Sequence, residues 1–386
     1  MATGFPTKAN WAAGDILTSA QMDDLAGTVN LLSNASAASG SQLISNAAGT
    51  SFAYSATPSA SNPILNSSMQ IFQRSSTPTT GITVTSGNAY TLDRWNAWTL
   101  SAGGSVTTSR QVTGDTTNLP NIQYCARFQR VAGNTNTGVL ILGQALETIN
   151  SIPYVGKAVT ISFYARKGAD YSSASAGLSI QLWSNTTTDG SLQTVLPGSA
   201  NAVAGTATLT ATWQRFSFTG TVSSTATQIA PAFLSTPVGT AGTNDYCEIT
   251  GVQIDIGSVA LPFRTYAATY QNELAACQRY LPALNIGTKV LGVASSTTQS
   301  YVYPTFPVTA RTAPTGITIN PTLTNYNLTN AGLTNGTPTA ITFSTGSVDG
   351  AQVGVTTTAA SPTIAVGQGD WLTLISGTIL FTGCEL

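Results

Sequence analysis

Apolar and polar residues alternate in short runs over most of the chain. Within 159–166, Val159, Ile161, Phe163 and Ala165 share one face, as do Leu178, Ile180 and Leu182 within 178–183. Phe216 and Phe218 point one way, Arg215 and Ser217 the other. Val252, Ile254 and Ile256 alternate with Gln253 and Asp255. A period of two marks a strand with one buried and one solvated face. Such strands recur between turn-forming clusters from Asn62 to about Val259, which predicts a jelly-roll β-sandwich over residues 61–264.

Two stretches change period. Ala267, Tyr270, Leu274 and Cys277 recur at spacings of 3, 4 and 3, predicting a helix across 265–281 with an apolar stripe. Alternation then returns at Val302, Phe306, Ile317, Ile319, Ile341, Phe343, Val353, Val355 and 372–381, so 282–386 reads as a smaller C-terminal β-domain. Near the other end, Thr18 and Gln21 form a capping box. Met22, Leu25, Val29 and Leu32 follow at 3, 4 and 3, the seam by which parallel helices oligomerise. Two heptads are too short to hold alone in water, so the stub needs neighbouring domains, or it packs on its own chain. Residues 33–60, rich in Ser, Ala, Asn and Gly, read as a linker or extended wrapping segment. The predicted class is all-β, with a short N-terminal helical stub in 1–60 and one helix after the sandwich.

Composition narrows the function. Only 8% of the 386 residues are charged, against about 25% in ordinary globular chains. Net charge is −1 and no basic block stands out, which argues against nucleic acid as a partner. No apolar run approaches the roughly 20 residues of a membrane span, so no membrane insertion is expected. Residues 1–11 lack the basic-then-apolar pattern of an export signal. The chain has no histidine, and Cys125, Cys247, Cys277 and Cys384 are far apart. A structural zinc and a Ser-His-Asp site are therefore not expected. The thiols read as small buried apolar groups, with a Cys125–Cys247 bridge left open.

Candidate chemistry is thin. No glycine-rich loop follows a strand and opens a helix, so no phosphate cradle is expected. A polysaccharide depolymerase needs two carboxylates flanking the bond, and only 15 Asp and Glu are present. The least dispersed in the sandwich are Asp245, Glu248 and Asp255, candidates for holding a hard cation such as calcium, or simply for capping turns. The expectation is no enzyme. Binding suits the residues better, because aromatic faces hold sugar rings while amides and charges meet the hydroxyls. Tyr164, Arg166, Gln181 and Trp183 all point away from the core residues of their strands. If the two strands are neighbours, these four form one outward patch that contacts either carbohydrate or the next subunit. Trp95 and Trp213 read as core anchors.

Several strings carry a family resemblance. Residues 62–74 (NPILNSSMQIFQR), 90–95 (YTLDRW), 159–166 (VTISFYAR), 212–216 (TWQRF), 251–263 (GVQIDIGSVALPF) and 273–280 (ELAACQRY) occur in this order. Residues 306–314 (FPVTARTAP) and the terminal Glu385-Leu386 fit the same architecture, and 10–21 (NWAAGDILTSAQ) is similar to the opening of many virion attachment proteins. Together they resemble fibre and minor virion proteins of tailed bacteriophages that carry a carbohydrate-binding-module-like jelly roll. Asp255 stands where Glu is usual, and Ser67 where Gly or Asp is usual, which weakens a structural calcium in the opening region. The resemblance implies a virion structural protein of fibre or spike type, a homotrimer that docks on other virion proteins through residues 1–60 and contributes to host-surface glycan attachment. It would assemble in the host cytoplasm, consistent with the missing export signal. A capsid decoration or head-fibre protein without a receptor role is the alternative within the same resemblance.

Overall fold

A computed structural model describes residues 42–45, 52–55, 62–196, 199–358 and 363–386. The helical stub with its seam residues Met22, Leu25, Val29 and Leu32 lies outside these. The segment expected as a linker contains a hairpin of β1 (Gln42–Ser45) and β2 (Phe52–Ser55), with Gln42 opposite Ser55. No helix among the described residues is long and apolar enough to cross a membrane.

The sandwich has two six-stranded antiparallel sheets. The front sheet contains β3 (Ile82–Thr85), β6 (Ser105–Val112), β7 (Tyr124–Arg130), β9 (Ala158–Lys167), β12 (Gln214–Thr221) and β14 (Tyr246–Ile256), in the order β12-β9-β14-β7-β6-β3. The back sheet contains β4 (Gly87–Leu92), β5 (Trp95–Thr99), β8 (Leu140–Gly143), β10 (Gly177–Asn185), β11 (Ala200–Thr208) and β13 (Gln228–Ser235), in the order β11-β10-β13-β8-β5-β4. Val159, Ile161, Phe163, Ile249 and Ile254 from the front meet Leu178, Ile180, Leu182, Trp95 and Phe233 from the back in one core. Phe163 and Phe233 touch edge to face across the two sheets, 4.8 Å between ring centres. Each such side chain contributes about 1.5–3 kcal/mol by leaving water. The fold is therefore the all-β sandwich that the alternation predicts. Two short helices, α1 (Thr148–Ser151) and α2 (Leu192–Val195), interrupt the strands.

Helix α3 (Tyr270–Gln278) begins five residues later than the 265–281 pattern suggested. The Thr269 side chain accepts a hydrogen bond from the Asn272 N–H and so sets the start. Its inward face also differs from the expected stripe. Glu273 and Cys277 are buried, whereas Tyr270 is 51% exposed. The Glu273 carboxylate draws that face inward by accepting hydrogen bonds from the N–H groups of Asn66 (2.5 Å) and Ala267 (2.9 Å).

The C-terminal domain packs two sheets around a separate core that includes Val302, Tyr326, Leu328, Val353, Leu372 and Phe381. A three-stranded sheet has the order β15 (Ala283–Leu284), β24 (Thr378–Thr382), β18 (Gly316–Asn320). A seven-stranded sheet runs β20 (Asn335–Gly336), β19 (Tyr326–Asn330), β23 (Gly369–Leu374), β16 (Lys289–Ala294), β17 (Gln299–Val302), β22 (Gly350–Thr356), β21 (Ala340–Ser347). Phe306, expected on a strand, lies in a connection and packs its ring 4.8 Å from that of Phe381.

A polar junction ties this domain to the sandwich. Arg94, only 1% exposed, donates to Glu385 (2.6 Å) and to the Ala145 carbonyl (2.8 Å), and stacks 3.7 Å over the Tyr280 ring. Arg74 also pairs with Glu385, and the Tyr90 hydroxyl donates to the Leu386 carbonyl. The Asn66 amide donates to the carbonyls of Ile71 and Asp93, and Trp95 Nε1 donates to the Asn66 carbonyl. A buried charge survives only when it is paired and hydrogen-bonded, which Arg94 is. Strings 62–74, 90–95 and 273–280 thus meet one another and Glu385 at this junction. They hold the fold together there.

Candidate functional site

The four outward residues of β9 and β10 do not form one patch. β9 pairs with β12 and β14 in the front sheet, and β10 pairs with β11 and β13 in the back sheet. Tyr164 and Arg166 therefore lie on the opposite side of the molecule from Gln181 and Trp183. Trp183 is also 1% exposed. It packs with Ile141, Ala230 and Ala232 beneath Leu192 and Val195 of α2, and its indole N–H donates to Gln181 (2.6 Å). Gly143 permits this closeness, because a Cβ there would sit 3.0 Å from both methyls of Leu192.

The outer face of the front sheet gathers more chemistry. Arg166 on β9 lies opposite Glu248 on β14, which lies opposite Arg127 on β7. Arg127 donates from Nε (2.8 Å) and Nη2 (2.6 Å) to one carboxylate oxygen of Glu248, and Arg166 Nε donates to the other at 2.5 Å. Glu248 is fully buried beneath the two guanidiniums, whose side chains are 28% and 27% exposed. Aromatic rings flank the row, with Arg166 4.8 Å over Trp213 and Arg127 4.2 Å over Tyr246. Charge-assisted bonds and ring stacking fix both arginines before any ligand arrives.

Next to this row the face folds into a small cavity of about 280 Å³, lined by Asn118, Asn121, Tyr164, Arg215 and Phe263 among others. Two features shape it. The connection after β6 is pinned where Trp213 Nε1 donates to the Thr113 carbonyl (3.3 Å) and Thr113 Oγ1 donates to that of Ile122 (2.8 Å). On β14 a bulge falls between Thr250 and Gln253. Gly251 there has φ +60°, and a Cβ would lie 2.8 Å from the Tyr164 ring. Hydrogen bonds from Asn118, side chain and then backbone, and from the Thr117 N–H hold the Asp115 carboxyl below its usual range, with a smaller pull from Arg166. Arg215 donates to Ser162 Oγ (3.0 Å) and to the Leu261 carbonyl, which anchors the segment carrying Phe263. Trp213 is buried as expected, but under this connection on the outer face rather than between the sheets.

The three candidate metal ligands do not converge. Asp245 accepts from Arg130 (3.0 Å) and Ser172 (2.6 Å), Glu248 from Arg127 and Arg166, and Asp255 pairs with Arg264 (2.7 Å). Glu248 and Asp255 are also about 20 Å apart along one strand, at ~3.3 Å per residue. Among the described residues no three His, Cys, Asp or Glu side chains stand together. In the opening region the Ser67 hydroxyl is buried without a hydrogen-bond partner. Its carboxylate neighbours are committed, Glu273 to backbone N–H groups and Asp93 to Gln73. The donor set does not suit a calcium ion, which takes 6–8 oxygens. A Cys125–Cys247 bridge is likewise ruled out by position. Both thiols are free, and Cys247 faces the core while Cys125 faces outward against Trp213. Burial pushes both thiols up, Cys247 to about 12, so neither is a nucleophile near neutral pH.

Sequence reasoning found Tyr164 and Arg166, singled out Glu248 as a cation ligand rather than the partner of two arginines, and missed Arg127, Tyr246 and the cavity. Alternation in 124–130 places Arg127 outward, opposite in sense to Phe128. What it lacks is the register that sets Arg127 beside Glu248.

No family model matches the chain, and no curated protein does. Among solved structures, a CBM4 domain is similar over 50% of this chain and 98% of its own, at 20% identity and a TM-score of 0.32. The CBM22-1 xylan-binding domain of Paenibacillus barcinonensis is similar over 52% of this chain and 96% of its own, at 12% identity and a TM-score of 0.30. A cyclase from Fischerella sp. TAU covers 53% of this chain and 100% of its own, at 11% identity and a TM-score of 0.32.

Proposed function

We propose that this chain is a non-enzymatic structural protein of a tailed-phage particle, of the fibre type, that holds host-surface glycan on the outer face of its front sheet. One observation carries the glycan reading. Arg127 and Arg166 are held in place by Glu248 on the outer sheet face, with the partly exposed rings of Tyr164 and Tyr246 beside them. Rigid aromatic and guanidinium groups bind sugars without losing much side-chain entropy. The cavity of about 280 Å³ falls just below the ~300–1,000 Å³ of pockets for drug-sized ligands, so it suits one sugar unit or substituent of a longer chain. The phage assignment rests on the ordered strings of the sequence, and with it come the homotrimer and docking through residues 1–60.

The non-enzymatic part rests on how the carboxylates are used. Glu248, Asp245, Asp255 and Glu385 are each bonded to arginine, and Glu273 to backbone N–H groups. Glycosidase chemistry needs two carboxyl groups facing each other across the bond. No carboxylate lines the cavity.

Two measurements test the proposal. Mass spectrometry of purified particles is expected to find the chain, and light scattering to give a trimer. Immobilised protein is expected to retain surface polysaccharide of the bacterium that the particle infects, without shortening it. Absence from particles removes the virion assignment, shortened glycan removes the non-enzymatic one, and no retention removes the glycan role.

A further inference from the structure

We propose that the glycan held here is acidic, and that Arg127 and Arg166 read its carboxylate or phosphate groups. This rests on the glycan reading above and narrows it to a ligand class.

Charge is scarce in this protein, and this face carries more cations than anions. Of 14 Lys and Arg in the chain, Arg127, Arg166, Arg215 and Arg264 lie on the outer side of the front sheet or on the segment packed against it. Against these four the face sets two buried carboxylates, Glu248 and Asp255. Asp115 at the rim offsets one more charge. The face remains positive although the whole chain carries −1.

The donors are also only partly used. Arg127 spends Nε and Nη2 on Glu248, and Arg166 spends Nε. Among the described residues nothing accepts from Arg127 Nη1 or from either Nη of Arg166. A guanidinium presents its N–H groups as a planar fork that matches carboxylate and phosphate bidentately. A neutral hydroxyl satisfies one donor at a time and leaves the excess charge unmatched. Glu248 has a second effect, since by fixing both forks it removes the ordering cost of long side chains at binding. Tyr164 and Phe263 beside them supply the apolar wall for the sugar ring.

The test uses the full chain and three polymers, with calorimetry at low and high salt. Polygalacturonate and its fully methyl-esterified form share one backbone and differ only in charge, and poly(glycerol phosphate) supplies phosphate. The expected result is at least tenfold tighter binding of one or both acidic polymers than of the ester, weakened several-fold by added salt. Preference between the two acidic polymers tells carboxylate from phosphate. Arg166→Gln is expected to lose about tenfold while Arg166→Lys loses less, and unfolding curves of both check that they are folded. If the folded Arg166→Gln binds an acidic polymer as the parent does, these arginines are not its readers. Equal binding of the ester overturns the acidic preference and leaves the glycan reading standing. Retention of none of the three overturns both.

Discussion

The two outer faces of the sandwich come from strands with the same alternation, yet one is closed and the other open. On the back sheet, α2 lies over Trp183, Ile141 and Ala232, and Leu386 packs at the edge of the same cluster. On the front sheet, the connection after β6 and the segment carrying Phe263 cover only part of the face, and Arg166 and Arg127 stay partly in water above the buried Glu248. An outward-pointing aromatic residue is thus a second core on one side and part of a candidate binding surface on the other. What separates the two is a short helix, α2, that follows β10 closely and folds back over its outer face.

The comparison can be broken most forcefully at Trp183. Trp183→Ala is expected to cost about 3–5 kcal/mol, read from denaturant unfolding, because it empties a closed layer. A loss under about 1 kcal/mol would mean that the back face is open after all. Next comes the contact by which the last residues reach the sandwich. Glu385→Ala leaves Arg94 buried without its carboxylate and is expected to cost about 3 kcal/mol in the same measurement. Arg166→Gln should cost about 1–2 kcal/mol, since it removes the guanidinium from one oxygen of the buried Glu248 while the amide still offers an N–H and Arg127 keeps its pair. Its effect belongs to binding, so a large drop in stability would place Arg166 with Trp183 as a structural residue.

The smallest expected effect concerns a buried carboxylate with no arginine beside it. Asp370 is buried, accepts one hydrogen bond from Ser300 (2.6 Å), and leaves its other oxygen without a partner. Burial raises its carboxyl above the usual range and the Ser300 bond offsets part of that. The folded state then holds the proton more tightly than the unfolded chain. Stability from this group is fully present below the unfolded value, near 3.9, and is lost as pH rises through the folded value. Asp370→Asn is expected to be more stable than the parent at pH 7, with the gap closing towards pH 4. Unfolding midpoints across that range check it, and a constant gap would contradict the cause. Glu248, equally buried but held by two arginines, has no such orphaned oxygen.

Much of the architecture was legible in the residues. Phe163, Ile161 and Val159 announce one inner face, and Leu178, Ile180 and Leu182 another, because a half-buried strand must alternate. The inward face of the shorter helix was less legible: its cap, Thr269 to the Asn272 N–H, is local, but Glu273 turns inward to meet Asn66, 207 residues away. The candidate site was half legible. Tyr164 and Arg166 could be seen to point outward, but nothing local says which strand lies beside theirs.

The sequence by itself determined an all-β chain with a sandwich, because side-chain periodicity is a local property that each segment carries alone. Only the tertiary structure decided that β9 and β10 belong to different sheets, that Trp183 is covered, and that Glu248 draws two arginines into one row. Those outcomes depend on strand register and on contacts such as Arg127 to Glu248, 121 residues apart, which the pattern within a segment does not encode.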